Sequence, residues 1–135
     1  MKTEQLTVTT GGRATTLDIT AEVARFCADE GDGLVSVFIP HATAGVAIFE
    51  TGAGSDHDVL MAIDRLLPAE PGRWRHEHGT PGHGRDHVLP AFISPSITIP
   101  VEAGRMALGT WQSLVLVDTN VDNPVRTIRL SFIAG

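Results

Sequence analysis

The alternation of apolar and polar positions predicts a chain built mainly from β-strands. Leu6 and Val8 lie on one side of an extended segment between residues 3 and 9, a pattern typical of a strand with one buried face. Residues 114–117 are continuously apolar, and we expect that strand to be covered on both faces. Pro100 indicates that its own strand lies near a sheet edge, because proline donates no ladder hydrogen bond. The predicted strands cover residues 3–9, 15–18, 34–39, 44–49, 97–101, 114–117 and 128–132.

Helical periodicity is confined to two longer segments. The first predicted helix covers residues 20–30, and a threonine at its start can cap it. The second begins at Ser55, with Asp58 three positions on in a capping-box relation. Residues 87–93 predict a short helix or turn. We therefore expect one α+β domain over residues 1–135, with a largely antiparallel or mixed sheet and two helices, since a doubly wound parallel fold would need more crossover helices.

Charge and composition exclude several classes of partner. The net charge is −6, from 16 acidic and 10 basic residues, which argues against nucleic acid because phosphate backbones are bound mainly by Lys and Arg. No basic run is present that would dock on a membrane, and no apolar stretch reaches the roughly 20 residues that span a bilayer. The single cysteine, Cys27, excludes an internal disulfide. Together with a first segment that lacks an apolar signal core, these features predict a cytoplasmic protein.

Histidines are concentrated in a glycine- and proline-rich segment, residues 68–86, and just beyond it. A neutral imidazole is the commonest metal ligand and a ready proton carrier, and loops of this length are usually functional or disordered. If the segment is extended, His76 and His78 present their side chains to one face and could meet one metal ion. His83 stands between two glycines and could simply be solvated, and a polar, mobile surface loop is the alternative for the whole group. Its four members are His76, His78, His83 and His87.

Polar residues at predicted strand ends are further candidates. His41 could be a ligand or an acid–base group, or an ordinary half-buried histidine at a turn. Glu50 could act as a general base or hold a water or metal, or be a solvent-exposed charge. Asp56 and Asp58 stand in the first turn of a helix, where the backbone dipole alone explains acidic residues. Gln112 starts the continuously apolar strand, and burial there would demand a hydrogen-bond partner.

Two arginines of the last strand are candidate phosphate ligands. Arg126 and Arg129 are three positions apart, and residues at this spacing on a strand face opposite ways. We therefore expect only one of them to reach a given pocket, with the other as a surface charge.

Several segments together resemble the YjbQ-like family, whose members often carry the label "secondary thiamine-phosphate synthase enzyme". The run from His41 to Glu50 is similar to the family's His-Thr-Thr/Ser-Ala-Gly motif. Four further segments resemble the family: residues 74–76, 86–88, 96–101 and 104–112. The similarity spans nearly the whole chain and is most specific over residues 96–101 and 104–112.

This resemblance implies a compact α+β subunit that assembles as a trimer and carries a polar pocket of histidines, sometimes with a divalent metal. This chain departs from the family's pattern at two places, the acidic run after Glu50 and the histidine loop. Residues 52–58 replace and lengthen the family's Asp-Pro-Asp run, and the histidine loop has residues 82–84 where an Asp-Gly-Asn run is common. By position, the matching site residues are His41, His76, His87, Glu50 and Gln112.

The leading hypothesis is an enzyme in which the three family histidines bind a divalent metal, with zinc as the expected ion, and leave one position open. Glu50 would act as general base, Gln112 and Thr43 would hydrogen-bond the substrate, and Arg126 or Arg129 would meet a phosphate. The family label implies joining a pyrimidine diphosphate to a thiazole phosphate with release of pyrophosphate. The alternatives are a metal-assisted hydrolase of a small phosphate compound, a non-catalytic trimer that binds a metal or metabolite, and a purely structural trimer.

Overall fold

Two antiparallel sheets form the framework of the computed structural model, which describes residues 1–135. The larger sheet has five strands in the order β1-β8-β3-β5-β6, which are Lys2–Thr9, Val125–Ala134, Gly33–Phe38, Ser96–Glu102 and Arg105–Met106. The smaller sheet has three strands in the order β2-β7-β4, which are Thr15–Asp18, Ser113–Asp118 and Ala44–Phe49. The expectation of one α+β domain with antiparallel sheets is confirmed, and only the two-residue β6 was not predicted.

Three α-helices and one 3-10 helix complete the fold, one α-helix more than predicted. They are α1 (Thr20–Cys27), α2 (Ser55–Leu66), α3 (Gly84–Val88) and the 3-10 helix Leu89–Ala91. The segment predicted as a short helix or turn is therefore helical. None of these helices has the length and apolar content needed to cross a membrane.

The two predicted helix starts differ from the observed ones in their capping. Thr20 is the first helical residue instead of the cap, and its backbone N–H donates to Oδ1 of Asp18 at 2.9 Å. The capping box predicted at Ser55 is wrong, because no side chain caps α2. Gly54 precedes this helix with a φ of 101°, a left-handed conformation that glycine adopts at little cost, and Ser55 is already inside the helix.

The smaller sheet lies between two apolar clusters. Leu114 and Leu116 of β7 face the main core, which is enclosed by the larger sheet and α1. Val115 and Val117 point the other way, onto a second cluster formed with α2 and the 3-10 helix. Because neighbouring residues of a strand point to opposite faces, this arrangement confirms the prediction that residues 114–117 are covered on both sides.

Pairing of β4 with β7 divides the candidate residues between two ends of the smaller sheet. Ala44 pairs with Asp118 at one end, and Phe49 pairs with Ser113 at the other. A strand of six residues spans roughly 20 Å. The segment that follows Asp118 therefore lies beside the start of β4, whereas Glu50 lies beside the start of β7.

Gly45 allows the chain after the 3-10 helix to lie directly against β4. A Cβ atom at this position would stand 2.0 Å from the carbonyl oxygen of Ile93. The next residue, Val46, donates its backbone N–H to the carbonyl of Ser94 at 2.8 Å. Glycine is therefore required in the 41–50 segment by a close backbone approach, since any side chain there would push two bonded segments apart.

We expect the substitution Gly45→Ala to lower the free energy of unfolding by about 1–3 kcal/mol, because the added methyl group overpacks a backbone contact. Urea unfolding followed by circular dichroism measures the change. Gly31→Ala is the matched control, since a Cβ there meets no atom within 4 Å. Equal stabilities for the two variants would contradict the assignment of Gly45 to this close contact.

Candidate functional site

Three histidines from the long loop and α3 converge on one point. The ligand atoms of His76, His83 and His87 all lie within 4.8 Å of one another. The Nε2 atoms of His76 and His83 are 3.1 Å apart, and the ring centroids of His76 and His87 are separated by 3.9 Å. His83 is buried, His76 is half-buried and His87 is exposed, so the cluster lies where the loop meets the surface.

Close packing against α3 brings the loop to this position. Gly84, at the start of α3, would place a Cβ 2.5 Å from the carbonyl oxygen of His76 and from Cβ of Trp74. The indole N–H of Trp74 donates to the carbonyl of Pro68 at 2.9 Å, which folds the beginning of the loop onto itself. A side chain at Gly84 would therefore hold His76 away from the two histidines of the α3 segment.

The tautomer of His83 follows from its hydrogen bonds. Its Nδ1 lies 2.8 Å from the carbonyl oxygen of Thr80, and a carbonyl can only accept, so Nδ1 carries the proton. The lone pair of Nε2 then points toward His76, whose Nε2–H donates to it in the metal-free protein. A backbone carbonyl that fixes one imidazole nitrogen is the usual way to present the other one to a metal.

His78 belongs to the same group of rings but not to the convergent set. Its ring centroid lies 4.1 Å from that of His76 and 5.7 Å from that of His83. It is exposed and lines a polar cavity that adjoins the cluster. The rings of His76 and His78 thus lie together in an irregular loop and not on one face of an extended segment, and only His76 shares the convergence point.

A polar cavity of about 470 Å³ opens beside the cluster. This volume is within the range of pockets that hold small molecules. The loop contributes His78, Gly79 and His83, and α3 contributes His87. The opposite wall comes from the start of β4, the turn between β7 and β8, and the start of β8, and its residues include His41, Thr43, Asn120, Asp122, Asn123 and Arg126.

Arg126 is the buried cation of this cavity. Only 1% of its surface is exposed, and its guanidinium forms a two-point ion pair with Asp118 (Nε to Oδ2 2.7 Å, Nη2 to Oδ1 2.9 Å). The same Nη2 donates to Oγ1 of Thr43 at 2.7 Å. The third nitrogen, Nη1, has no protein acceptor, and no buried side-chain atom lacks a partner, so Nη1 reaches the cavity. Thr43 therefore orients Arg126, and its hydroxyl oxygen is already used as an acceptor.

A second buried carboxylate ties the cavity wall to α3. Asp86 accepts hydrogen bonds from Oγ1 of Thr119 at 2.6 Å and from Nδ2 of Asn120 at 3.2 Å. It also pairs with Nε of Arg85 at 3.2 Å. The backbone N–H of Asn120 donates to Asp118 at 3.0 Å. The histidine-bearing helix and the arginine-bearing strand are thereby held by one continuous set of hydrogen bonds.

His41 lines the cavity but lies apart from the three convergent histidines. Its Nε2 accepts the backbone N–H of Thr127 at 2.9 Å, so this lone pair is already used and Nδ1 carries the proton of the neutral ring. Partial burial, followed by the charge of Arg126, lowers the pKa of His41, and Asp118 offsets part of this shift. His41 is therefore neutral at pH 7.

Two of the convergent histidines, His76 and His87, also have pKa values lowered toward the neutral form. Desolvation and then the neighbouring His87 lower the pKa of His76. Desolvation and then His83 lower the pKa of His87, with Asp86 acting in the opposite direction. Neutral imidazoles are the form that binds metals, so the cluster can accept a cation at physiological pH.

Three residues predicted for the site lie elsewhere. Glu50 and Gln112 are exposed at the far end of the β4–β7 pair, and Oε1 of Gln112 accepts the backbone N–H of Gly109 at 2.7 Å. Arg129 is exposed on the outer face of β8, opposite to Arg126. The expectation that only one of the two arginines reaches a pocket agrees with this placement. The structure thus brings His41, Thr43, Arg126, His76 and His87 to one region, and leaves Glu50, Gln112 and Arg129 outside it.

Three buried residues of this region, Asp86, Asp118 and Asn120, are not among the candidates that the sequence indicates. His83 is one of the four clustered histidines for which a solvated position is an alternative, and it is buried and belongs to the convergent set. The polar run that begins at Asp118 directly follows a strand covered on both faces, and that position was the available signal, because a carboxylate buried there requires a partner.

An α+β domain with a histidine cluster beside a buried arginine is thus the class of protein that the fold and site define. The family profile described as "UPF0047 protein YjbQ-like" matches residues 4–135, and the chain belongs to this family. UPF0047 protein Rv2556c of Mycobacterium tuberculosis is 57% identical over 135 residues, with all of both chains covered. A UPF0047 protein of Archaeoglobus fulgidus is 34% identical over 114 residues, which cover 84% of this chain and 88% of that protein.

Solved structures share the same fold. The hypothetical protein APE1520 from Aeropyrum pernix K1 superposes with a TM-score of 0.90 at 32% identity, over 100% of both chains. A YbjQ-like protein of unknown function from Sulfolobus solfataricus P2 also reaches a TM-score of 0.90, at 23% identity over 99% of this chain and 97% of that one. The family assignment made from sequence motifs is therefore confirmed.

We predict that the metal-free protein loses stability as the pH falls below about 6.5, the ordinary pKa of histidine. The unfolded chain binds protons there, whereas His41 in the folded chain binds them only at lower pH, so protonation favours unfolding until the pH passes the lowered pKa. His41→Gln keeps an acceptor without a titrating group, and we expect a smaller loss. Urea unfolding in the presence of a metal chelator, between pH 7 and pH 5, measures this loss of stability.

His57→Gln is the control for this measurement, because His57 is an exposed residue of α2. An identical pH dependence for His41→Gln and the unchanged protein would disprove a contribution from His41.

Proposed function

We propose that this protein is a metal-dependent enzyme in which His76, His83 and His87 bind a divalent transition metal, assigned here as zinc, and the adjoining cavity binds a small phosphorylated molecule. The observation that carries the proposal is the convergence of three imidazole ligand atoms within 4.8 Å. Such a cluster of neutral nitrogen donors suits zinc and related ions better than magnesium or calcium, which prefer oxygen ligands.

One pair of donors already has the separation that a shared zinc ion would require. Zinc–nitrogen bonds of about 2.0–2.1 Å at a tetrahedral angle separate two nitrogens by about 3.3 Å, and the Nε2 atoms of His76 and His83 are 3.1 Å apart. Three protein ligands leave one position open, which is typical of catalytic and not structural zinc. The metal set differs from the one expected from the family motifs, because His83 takes the place of His41.

A metal in this position would act as a Lewis acid toward a phosphoryl oxygen and acidify a bound water. The chain itself supplies binding and orientation. Nη1 of Arg126 is held by the ion pair with Asp118, so it can donate to a phosphate without rearrangement. His41 lines the same cavity with Nδ1–H as its remaining donor. Glu50, the expected general base, lies at the far end of β4 and is given no part in this cavity.

Two reactions fit these groups. One joins a pyrimidine diphosphate to a thiazole phosphate with release of pyrophosphate, as the family label suggests. The other hydrolyses a small phosphate ester. Both place negative charge on a phosphate oxygen in the transition state, which a metal and an arginine stabilise. The products distinguish them, since only the first releases pyrophosphate and a coupled thiamine precursor.

We predict that the purified protein binds one zinc ion per chain and that replacing any one of the three ligands with alanine weakens binding by at least about 100-fold. Competition with a chromogenic chelator measures the affinity. His41→Ala and His57→Ala are matched controls and should retain the metal, because neither belongs to the convergent set. Retention of zinc with unchanged affinity by His87→Ala would disprove this ligand set.

Activity is tested on the zinc-loaded protein with the two thiamine precursors and, separately, with a panel of small phosphate esters. We expect release of pyrophosphate or phosphate that stops on chelation and falls about 100-fold or more in His83→Ala, consistent with loss of an ion that stabilises phosphoryl charge. Tight zinc binding without product from any substrate would instead support a non-catalytic metal-binding protein.

We also propose that the chain assembles as a homotrimer. The outer face of the larger sheet supports this, because Leu34, Phe38 and Ile133 are large apolar residues that are 43–53% exposed on strands β3 and β8. Exposed apolar groups that adjoin on a flat sheet commonly mark interfaces. Native mass spectrometry should give three times the 14.4 kDa chain mass, and Phe38→Glu should shift the distribution toward monomer. A monomer at all concentrations would refute the trimer.

A further inference from the structure

The charges around the cavity do not by themselves favour an anion. Arg126 is its only buried cation, and both oxygens of Asp118 already neutralise it. Asp122 adds an exposed carboxylate to the cavity wall, where Oδ1 accepts a hydrogen bond from Thr80. A phosphate dianion would therefore meet one cation that is already paired with Asp118 and one carboxylate, Asp122, that repels it.

The neutral polar groups of the wall are also largely committed. The side-chain amide of Asn120 donates to Asp86, and its oxygen accepts the backbone N–H groups of Asp122 and Asn123. The hydroxyl of Thr43 accepts from Arg126. The donors that remain for an anion are Nη1 of Arg126, Nδ1–H of His41 and the hydroxyl hydrogen of Thr43, and only the first is charged. A buried guanidinium with one free edge orients an oxygen ligand but does not outweigh the cost of stripping water from a dianion.

A divalent cation at the histidine cluster changes this balance. His83 and His87 belong both to the convergent set and to the cavity wall, so the cation would face the same space as Nη1 of Arg126. Two positive charges would then be added to a region whose Arg126, Asp118 and Asp122 sum to −1. Opposite charges within a few ångströms attract each other.

We propose that metal and anion binding are coupled in this cavity: a phosphate group is bound jointly by the metal and Nη1 of Arg126, and it binds weakly when the metal is absent. This inference rests on the metal centre of the proposed function. By thermodynamic reciprocity, phosphate must tighten metal binding by the same factor by which the metal tightens phosphate binding. The preferred substrate is then a compound with a terminal phosphate, and the metal-loaded protein is the form that recognises it.

The test titrates the protein with cobalt(II), whose visible spectrum reports coordination, in the presence and absence of inorganic phosphate. We expect phosphate to raise the apparent cobalt affinity by about tenfold or more, within the usual range for coupled sites, and to change the spectrum. Isothermal titration of phosphate into metal-free and metal-loaded protein should give the same factor.

The variant Asp122→Asn measures how much the carboxylate of the cavity wall opposes phosphate binding. Removing this carboxylate should strengthen phosphate binding to the metal-free protein several-fold and reduce the coupling factor, because part of the repulsion is gone. Asp58→Asn is the matched control, since Asp58 is an exposed residue of α2 outside the cavity. Arg126→Lys, checked for folding by circular dichroism, should bind cobalt but lose most of the coupling, since lysine lacks the fork that pairs with Asp118.

The outcomes separate the two proposals. Cobalt binding that phosphate does not affect would overturn the coupling and leave the metal centre intact. Equal phosphate affinity with and without metal would overturn it too. Failure to bind cobalt or zinc under any condition would refute the proposed metal centre, and the coupling with it.

Discussion

The buried ion pair between Arg126 and Asp118 is the interaction on which the arrangement of the site depends. Both side chains are almost fully buried, at 1% and 0% exposure, so neither charge is tolerable without the other. The pair joins the end of β7 to the start of β8, and its contact with Thr43 adds the start of β4. Removing one partner would leave an unpaired buried charge, a loss of about 3–5 kcal/mol. The three chain segments that form one cavity wall are fixed by this requirement.

The same requirement extends to the opposite wall. Asp86 is buried in α3 and finds its donors in the turn after β7, so the helix that carries His87 is anchored to the strand end next to the ion pair. Nη1 of Arg85 in turn forms an ion pair with Oδ1 of Asp64 at 2.5 Å, which extends the network to α2. A hydrogen-bond network of this kind is rigid when fully satisfied. It therefore holds the histidines and the arginine in a fixed relation before any ligand binds, and preorganisation of this kind is what makes electrostatic stabilisation effective.

Two close contacts of the backbone, at glycine residues, position the remaining segments around the site. Gly45 lets the segment after the 3-10 helix lie on β4, and Gly84 lets the loop before α3 lie on the helix. The first contact stabilises the smaller sheet, and the second brings His76 to His83. The loop of residues 68–83 has little regular structure, yet His83 within it is buried because its ring is held between Thr80 and His76. A long irregular loop is thus ordered by a few specific contacts at its ends.

The sequence alone determined seven of the eight strands, the two longer helices and the family, because alternation, helical periodicity and the 41–50 segment are local properties. It also indicated that Arg126 and Arg129 face opposite ways, since strand geometry fixes this. Only the tertiary structure decided which residues share a cavity. Antiparallel pairing of β4 and β7 put Glu50 at the far end of the sheet from His41. His83 contacts His76 seven positions away, and Asp118 pairs with Arg126 eight positions away. Both contacts depend on the path of an irregular loop or turn, which no periodic pattern of the sequence predicts.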